Sequence, residues 1–411
     1  MKTSKPHPPS TPRHTSGTRL FALVCAVAFS GSLASRAADN NLTLQVLSEF
    51  HLAGTGPKSP YGRMVQGTNG DFYGTTFEGG IANRGTVFKI TSGGAVTTLF
   101  SFAGTNGANP FYGGLTRASD GSFYGNCYIG GASNLGSIFK ITHDGVFSNL
   151  VPLRSTNGSF PQGWLAQASD GNFYGTTFGG GTSNFGTIYQ MTPGGGLTSL
   201  FFLKGTNGAN PSAGLVEGGD GNFYGTTFNG GANDLGTVFR FVTNGVLTPL
   251  VSFTGTNGSY QGANPRAGLA VGGDGQLYGT TESGGPADYG TIFRVTTNGD
   301  FSNLFSFGAT NGAYPEASLV QGLDGSFYGT TFGSANGGAA SNGTVFAISP
   351  GGAFQTVASF DFTNGPGPIG TLSLADDGNF YGTTLQGGYD GVGVVFRVVP
   401  ARHLTAQAGA E

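Results

Sequence analysis

The chain has 411 residues, of which 78 are glycine, 35 phenylalanine and 15 tyrosine, while only 9% are charged. Glycine does not fall at every third position, which excludes a collagen helix, and the regularly spaced aromatics supply too much apolar surface for a disordered tail. The 18 basic residues are outnumbered by 21 acidic ones, for a formal charge of −3, so a nucleic-acid groove is not expected.

Residues 1–19 carry Lys2, Lys5, Arg13 and Arg19 ahead of an apolar run from Leu20 to Phe29, with small residues following through Ala34. This order reads as a secretory signal over residues 1–37. Ser35 and Ala37 fit cleavage before Ala38, and Ser32 and Ala34 offer a second site. The apolar stretch falls short of the about 20 residues a membrane helix needs, so no integral membrane domain is expected. The destination is then secreted, extracellular or periplasmic. Loss of residues 1–37 removes five basic residues and no acidic one, leaving 13 − 21 = −8. Cys25 leaves with the signal and Cys127 stays without a partner, so stability must come from packing, with Cys127 as a small buried residue.

After a short leader at 38–41, a single domain is expected over 42–399, with a flexible tail over 400–411. An aromatic or leucine followed by Tyr-Gly recurs at Tyr73, Tyr124, Tyr174, Tyr224, Tyr278, Tyr328 and Tyr381, at spacings of 51, 50, 50, 54, 50 and 53. In the fourth unit, Gly214–Gly219, Asn222–Thr227, Thr237–Phe241 and Val246–Phe253 read as four antiparallel strands, with Asp220-Gly221 as the first hairpin turn and Pro249 on an outer edge. Leu44–Phe50 resembles a fourth strand but precedes the first complete unit, and the last unit ends after its third strand. The count balances only if the N-terminal strand completes the last sheet. The expected fold is therefore all-β: a seven-bladed β-propeller of four antiparallel strands per blade, closed by its first strand, rather than an open solenoid.

The repeated aromatic-Tyr-Gly, Thr-Thr and Gly-Gly pattern resembles the Gloeobacter/Verrucomicrobia-type repeat family, the GloVer-containing proteins, over roughly residues 42–399. The resemblance implies export and carries no reaction or ligand. No hydrophobic sorting helix follows Arg397, so it implies no membrane or wall attachment.

In such a meander, the loops between strands two and three and the loops between blades share one rim, and these are the longer loops. Residues that break the repeat there are the ligand-binding candidates: Lys58, Arg266 and Glu316 between blades, and Glu78, Arg84, Glu282, Asp288 and Asp390 in the other loops. For each of them, ordinary solvation is the plainer reading. Trp164 stands where Gly114, Gly214 and Gly268 recur; it is either a stacking platform at the central opening or local core filling. The turn acids Asp120, Asp170, Asp220, Asp274, Asp324 and Asp377, with Asn69, read as Asx-Gly turns rather than catalytic groups. No catalytic residue can be assigned, and no cofactor or metal is expected, since His51, His143 and His403 share no spacing. The leading expectation is a recognition or scaffold module that binds an extracellular polysaccharide or a protein through the loop-rich rim, more a binder than an enzyme. The alternatives are a polysaccharide hydrolase or lyase using residues such as Glu316, Glu282 or Arg266, and a purely structural repeat protein. Oligomeric state is not legible.

Overall fold

The computed structural model describes residues 43–308, 310–333 and 342–399. The expected signal, leader and C-terminal tail lie outside these residues. Among the described residues, seven four-stranded antiparallel sheets form the blades of a propeller; five are built from strands consecutive in sequence, and the first is interrupted only by the two-residue strand Glu78–Gly79, which pairs with Pro57–Lys58 instead. The seventh joins Ser373–Leu374, Phe380–Thr384 and Val394–Val399 to the N-terminal strand Thr43–Glu49. Thr43 pairs with Val399 and Glu49 with Val394, so the first strand supplies the outer edge of the last blade, as the strand count requires.

The repeated motif has a packing reason at each position. The Tyr ring of one blade lies against the Phe of the next, with centroids 4.0–4.3 Å apart for Tyr73–Phe123, Tyr124–Phe173, Tyr174–Phe223, Tyr278–Phe327 and Tyr328–Phe380. The series returns to its start at Tyr381–Phe72, 4.1 Å. The motif glycine has no side chain because a third-strand aromatic crosses it: a Cβ on Gly74 would strike the ring of Phe88, and one on Gly225 the ring of Phe239. In the Thr-Thr pair, the first hydroxyl reaches the next blade, as in Thr176 to Ala213 O at 2.7 Å. The second ties strand two to strand three, as in Thr227 with Thr237 at 2.8 Å. Cys127 occupies the second of these positions in its own blade, opposite Ser137, and is buried. The turn acids do what Asx-Gly geometry asks: the Asp220 carboxylate accepts from the Asn222 backbone N–H at 3.1 Å and from the Tyr224 hydroxyl at 2.6 Å.

Two details differ from the expectation. The first strands are short, Val216–Glu217 rather than six residues in the fourth unit, because the residues ahead of them bond to the preceding blade instead of to their own second strand. The outer strands are also bulged in every blade, as between Val238 and Phe239 where strand three meets the Pro249 strand. Pro249 does lie on an outer strand.

Candidate functional site

The innermost segments build the central channel. In each blade the residue paired with the motif Tyr is fixed by register: Val65, Thr116, Ala166, Val216, Ala270, Val320 and Ser373. Two and four places earlier, ahead of the short first strands, each unit carries equivalent positions, several of which line the channel. Two rings result. The inner one holds Arg63, Gly114, Trp164, Gly214, Gly268, Ser318 and Thr371, and the one nearer the loop-rich rim holds Tyr61, Tyr112, Gln162, Ser212, Arg266, Glu316 and Ile369.

Trp164 fills the channel. Its indole passes over Gly214 and reaches Gly268, where a Cβ would overlap it in both cases, and its Nε1–H donates to Leu215 O at 3.2 Å. Arg63 comes from the opposite side, passing Gly114, and sets its guanidinium carbon 5.1 Å from the Trp164 ring centroid. The pair parts the channel in two. On the loop-rich side, Tyr112, Gln162, Trp164, Ser212, Arg266 and Glu316 enclose a cavity of about 20 Å³. On the compact-turn side, Arg63, Gln66, Thr116, Arg117, Ser373 and Asp376 line one of about 440 Å³.

Three of the sequence candidates meet at the loop-side mouth. Arg266 contacts Glu282 at 2.8 Å and Glu316 at 3.7 Å, and its guanidinium carbon lies 4.8 Å from the Phe228 ring centroid and 5.5 Å from that of Tyr112. Tyr112 spans the opening and donates its hydroxyl to Glu316 at 2.7 Å. Burial lifts the Glu316 carboxyl above its ordinary value, against the pull of Arg266 and the Tyr112 hydrogen bond. Burial also lifts the Tyr112 hydroxyl, and the neighbouring Glu316 charge adds to it. Arg266 is desolvated too, but Tyr112, Glu282 and Glu316 outweigh this and raise its value. The cluster is therefore a closed network in which one cation serves two carboxylates.

A second feature runs beside it. Phe77, Tyr61, Phe111, Tyr128 and Phe160 are half-buried and follow one another across three blades, at centroid distances of 5.2, 4.9, 5.5 and 5.3 Å. Tyr112 joins this arc to the charged cluster, since it also lies 4.3 Å from Phe111. Phe160 holds φ 57°, a left-handed conformation that is costly for a bulky side chain, and Tyr314 does the same at 58°. The equivalent positions in three other blades are Asn109, Asn210 and Asn264, which each return a side-chain hydrogen bond to a loop carbonyl.

The remaining candidates are dispersed. Lys58 and Glu78 face each other in a two-residue pairing of the rim loops of the first blade. Arg84 is exposed and engages Asn109 only through its backbone carbonyl. Asp288 closes its own turn by accepting from the Gly284 N–H at 2.8 Å, as Asn83, Asn134, Asn184 and Asp234 do in other blades. Asp390 accepts from the Leu52 N–H and lies 3.2 Å from His51, just after the chain leaves the N-terminal strand Thr43–Glu49. Arg63, Tyr61, Gln162 and Ser212 were not singled out as site residues. Aligning every unit on its motif Tyr and reading back twelve and ten residues would have brought them out.

A family model described as the Gloeobacter/Verrucomicrobia repeat matches residues 30–218 and 187–396. No curated protein matches the chain. Similar solved structures include the extracellular domains of two proteins described as hybrid two-component systems from B. thetaiotaomicron. One is 11% identical, with TM-score 0.56 and coverage of 89% of this chain and 42% of the other. The second is 12% identical, with TM-score 0.53 and coverage of 82% and 38%. The chain thus spans about two fifths of each, and at such identity the likeness is one of fold.

Proposed function

The chain belongs to the Gloeobacter/Verrucomicrobia repeat family, and from that premise we propose that it is an exported recognition module that binds a polysaccharide through its loop-rich rim. The observation that carries this reading is the aromatic arc from Phe77 to Phe160. Half-buried rings in an unbroken row offer apolar faces of the size of successive sugar rings, and Tyr112 places hydroxyl and carboxylate groups at one side of that row. Several weak contacts along one extended ligand add through multivalency and need no high net charge. Export rests on the N-terminal sequence pattern and accords with the fold's occurrence in extracellular domains.

A polysaccharide panel, measured for binding and for product formation, tests this. Saturable binding without turnover is expected, with Phe111→Ala and Tyr128→Ala each weakening it about five- to tenfold. Binding that both variants leave unchanged overturns the arc. Product release that is lost in Glu316→Gln replaces recognition with a hydrolase or lyase, and binding to proteins alone replaces the glycan.

A further inference from the structure

We propose that the cavity on the compact-turn side of the channel binds a small hydroxylated carboxylate, its charge held by Arg63 and Arg117. This site is independent of the rim and of the reading given to it. Arg63 stands in a ring position that is glycine, serine or threonine in five other blades, so the cation is not part of the repeat. Its Nε donates to Leu115 O at 3.3 Å and its Nη2 to Thr116 Oγ1 at 3.2 Å. No carboxylate lies within ion-pair distance of it among the described residues, in contrast with Arg266, which has two. Enclosure of a cation without a counter-charge is costly, and here it pushes the guanidinium down to about 10.

The surroundings define the missing partner. Arg117 lines the same cavity and spends its Nη1 on Gln66 O at 3.1 Å, so two guanidinium forks reach one space. The hydroxyl hydrogens of Thr116 and Ser373 are committed to Leu165 O and Met64 O; the Thr116 oxygen already accepts from Arg63, so the Ser373 oxygen is the acceptor open to a ligand's own hydroxyl. Asp376, exposed at the mouth, opposes an anion there, yet it is one negative charge against two positive ones and is a further hydroxyl acceptor. About 440 Å³ suits a molecule of monosaccharide size, since small-ligand sites run from about 300 Å³ upward. The loop-side cavity, about 20 Å³, has room for about one water.

Calorimetric titration of the full chain with glucuronate is the test, with glucose, acetate and inorganic phosphate as comparison ligands. Saturable glucuronate binding is expected, with glucose silent and acetate and phosphate weaker. Arg117→Ala, at an exposed residue, should weaken binding about tenfold, and Arg63→Met should abolish it. Arg63→Met should also melt no lower than the wild type, because it removes a half-buried charge that lacks a counter-charge and leaves an apolar side chain beside Trp164, and should keep any binding at the rim. Absence of glucuronate binding, equal binding by both variants, or phosphate binding as tight as glucuronate would each overturn the assignment.

Discussion

At the scale of single residues, the turn acids couple the fold to pH. Burial alone would raise Asp170, Asp220, Asp274 and Asp377, but hydrogen bonds from the facing Tyr hydroxyls and from the residue two places on outweigh it, and all four sit below the ordinary carboxyl range. Their partners move the other way: Tyr174, Tyr224 and Tyr278 are pushed up to about 12, first by burial and then by the Asp hydrogen bond. A carboxyl lowered on folding contributes stability that is present above its unfolded value of about 3.9 and is lost as pH falls through the folded one. A phenol raised on folding contributes stability that is present below about 10 and is lost as pH rises toward about 12. The melting temperature should therefore be level between these limits and fall on both sides. Asn69 shows that an amide can serve the same turn, since its Nδ2 donates to the Tyr73 hydroxyl at 2.9 Å. Replacing Asp170, Asp220 and Asp274 together with Asn should make the acid limb shallower in thermal melts from neutral pH to pH about 2. An unchanged acid slope would assign acid sensitivity to other groups.

At the scale of the loop elements, the rim trades stability for surface. Asn109, Asn210 and Asn264 hold the left-handed position before proline and bond back to Phe77 O, Phe178 O and Phe228 O at 2.9–3.1 Å. Phe160 and Tyr314 keep the same backbone without that bond, at a cost of about 1–3 kcal/mol each. Phe160→Asn and Tyr314→Asn should each add about 1 kcal/mol in denaturant titrations. Phe160 ends the aromatic arc and Tyr314 lies outside it, so only Phe160→Asn should weaken glycan binding. Equal loss in both variants would detach recognition from the arc. These loops also mark where sequence reading stops. Blade number, closure and turn acids were legible because each recurs in every unit and its period is the fold's own. Arg266, Glu282 and Glu316 were legible as departures from the repeat. Their meeting was not, because the reach of the Arg266 side chain to Glu282 and Glu316, and of Tyr112 across the mouth to Glu316, 204 residues away, is set by side-chain direction rather than by the repeat. Trp164 was legible as a departure from the repeat and Arg63, at the same place in its own unit, would have been on alignment; that their side chains meet across the channel was not.

For the whole molecule, the decisive contact is the one that closes the ring. Leu44 is buried in a cluster with Phe360, Phe380, Phe396 and Val398, and the Arg397 side chain reaches Gln45 at 2.5 Å. Removing the strand Thr43–Glu49 would take away this cover and leave Val394–Val399, the sequence VVFRVV, as an unpaired edge. An exposed valine-rich edge invites pairing with another chain. Loss of the Leu44 side chain alone costs about 2–5 kcal/mol. A chain lacking residues through Glu49 should therefore melt lower than one lacking only the residues before Thr43, and should elute as associated species in size-exclusion chromatography. A synthetic peptide of residues 43–49 should restore both the melting temperature and the elution volume of the chain that keeps Thr43–Glu49, by refilling the edge. The restoring peptide separates lost pairing from general damage: if strands merely stacked in an open array, truncation would trim an end, and neither the association nor its reversal would follow. A truncated chain with unaltered melting and elution would mean that the Tyr381–Phe72 stack and its neighbours hold the ring without the seventh blade's outer strand.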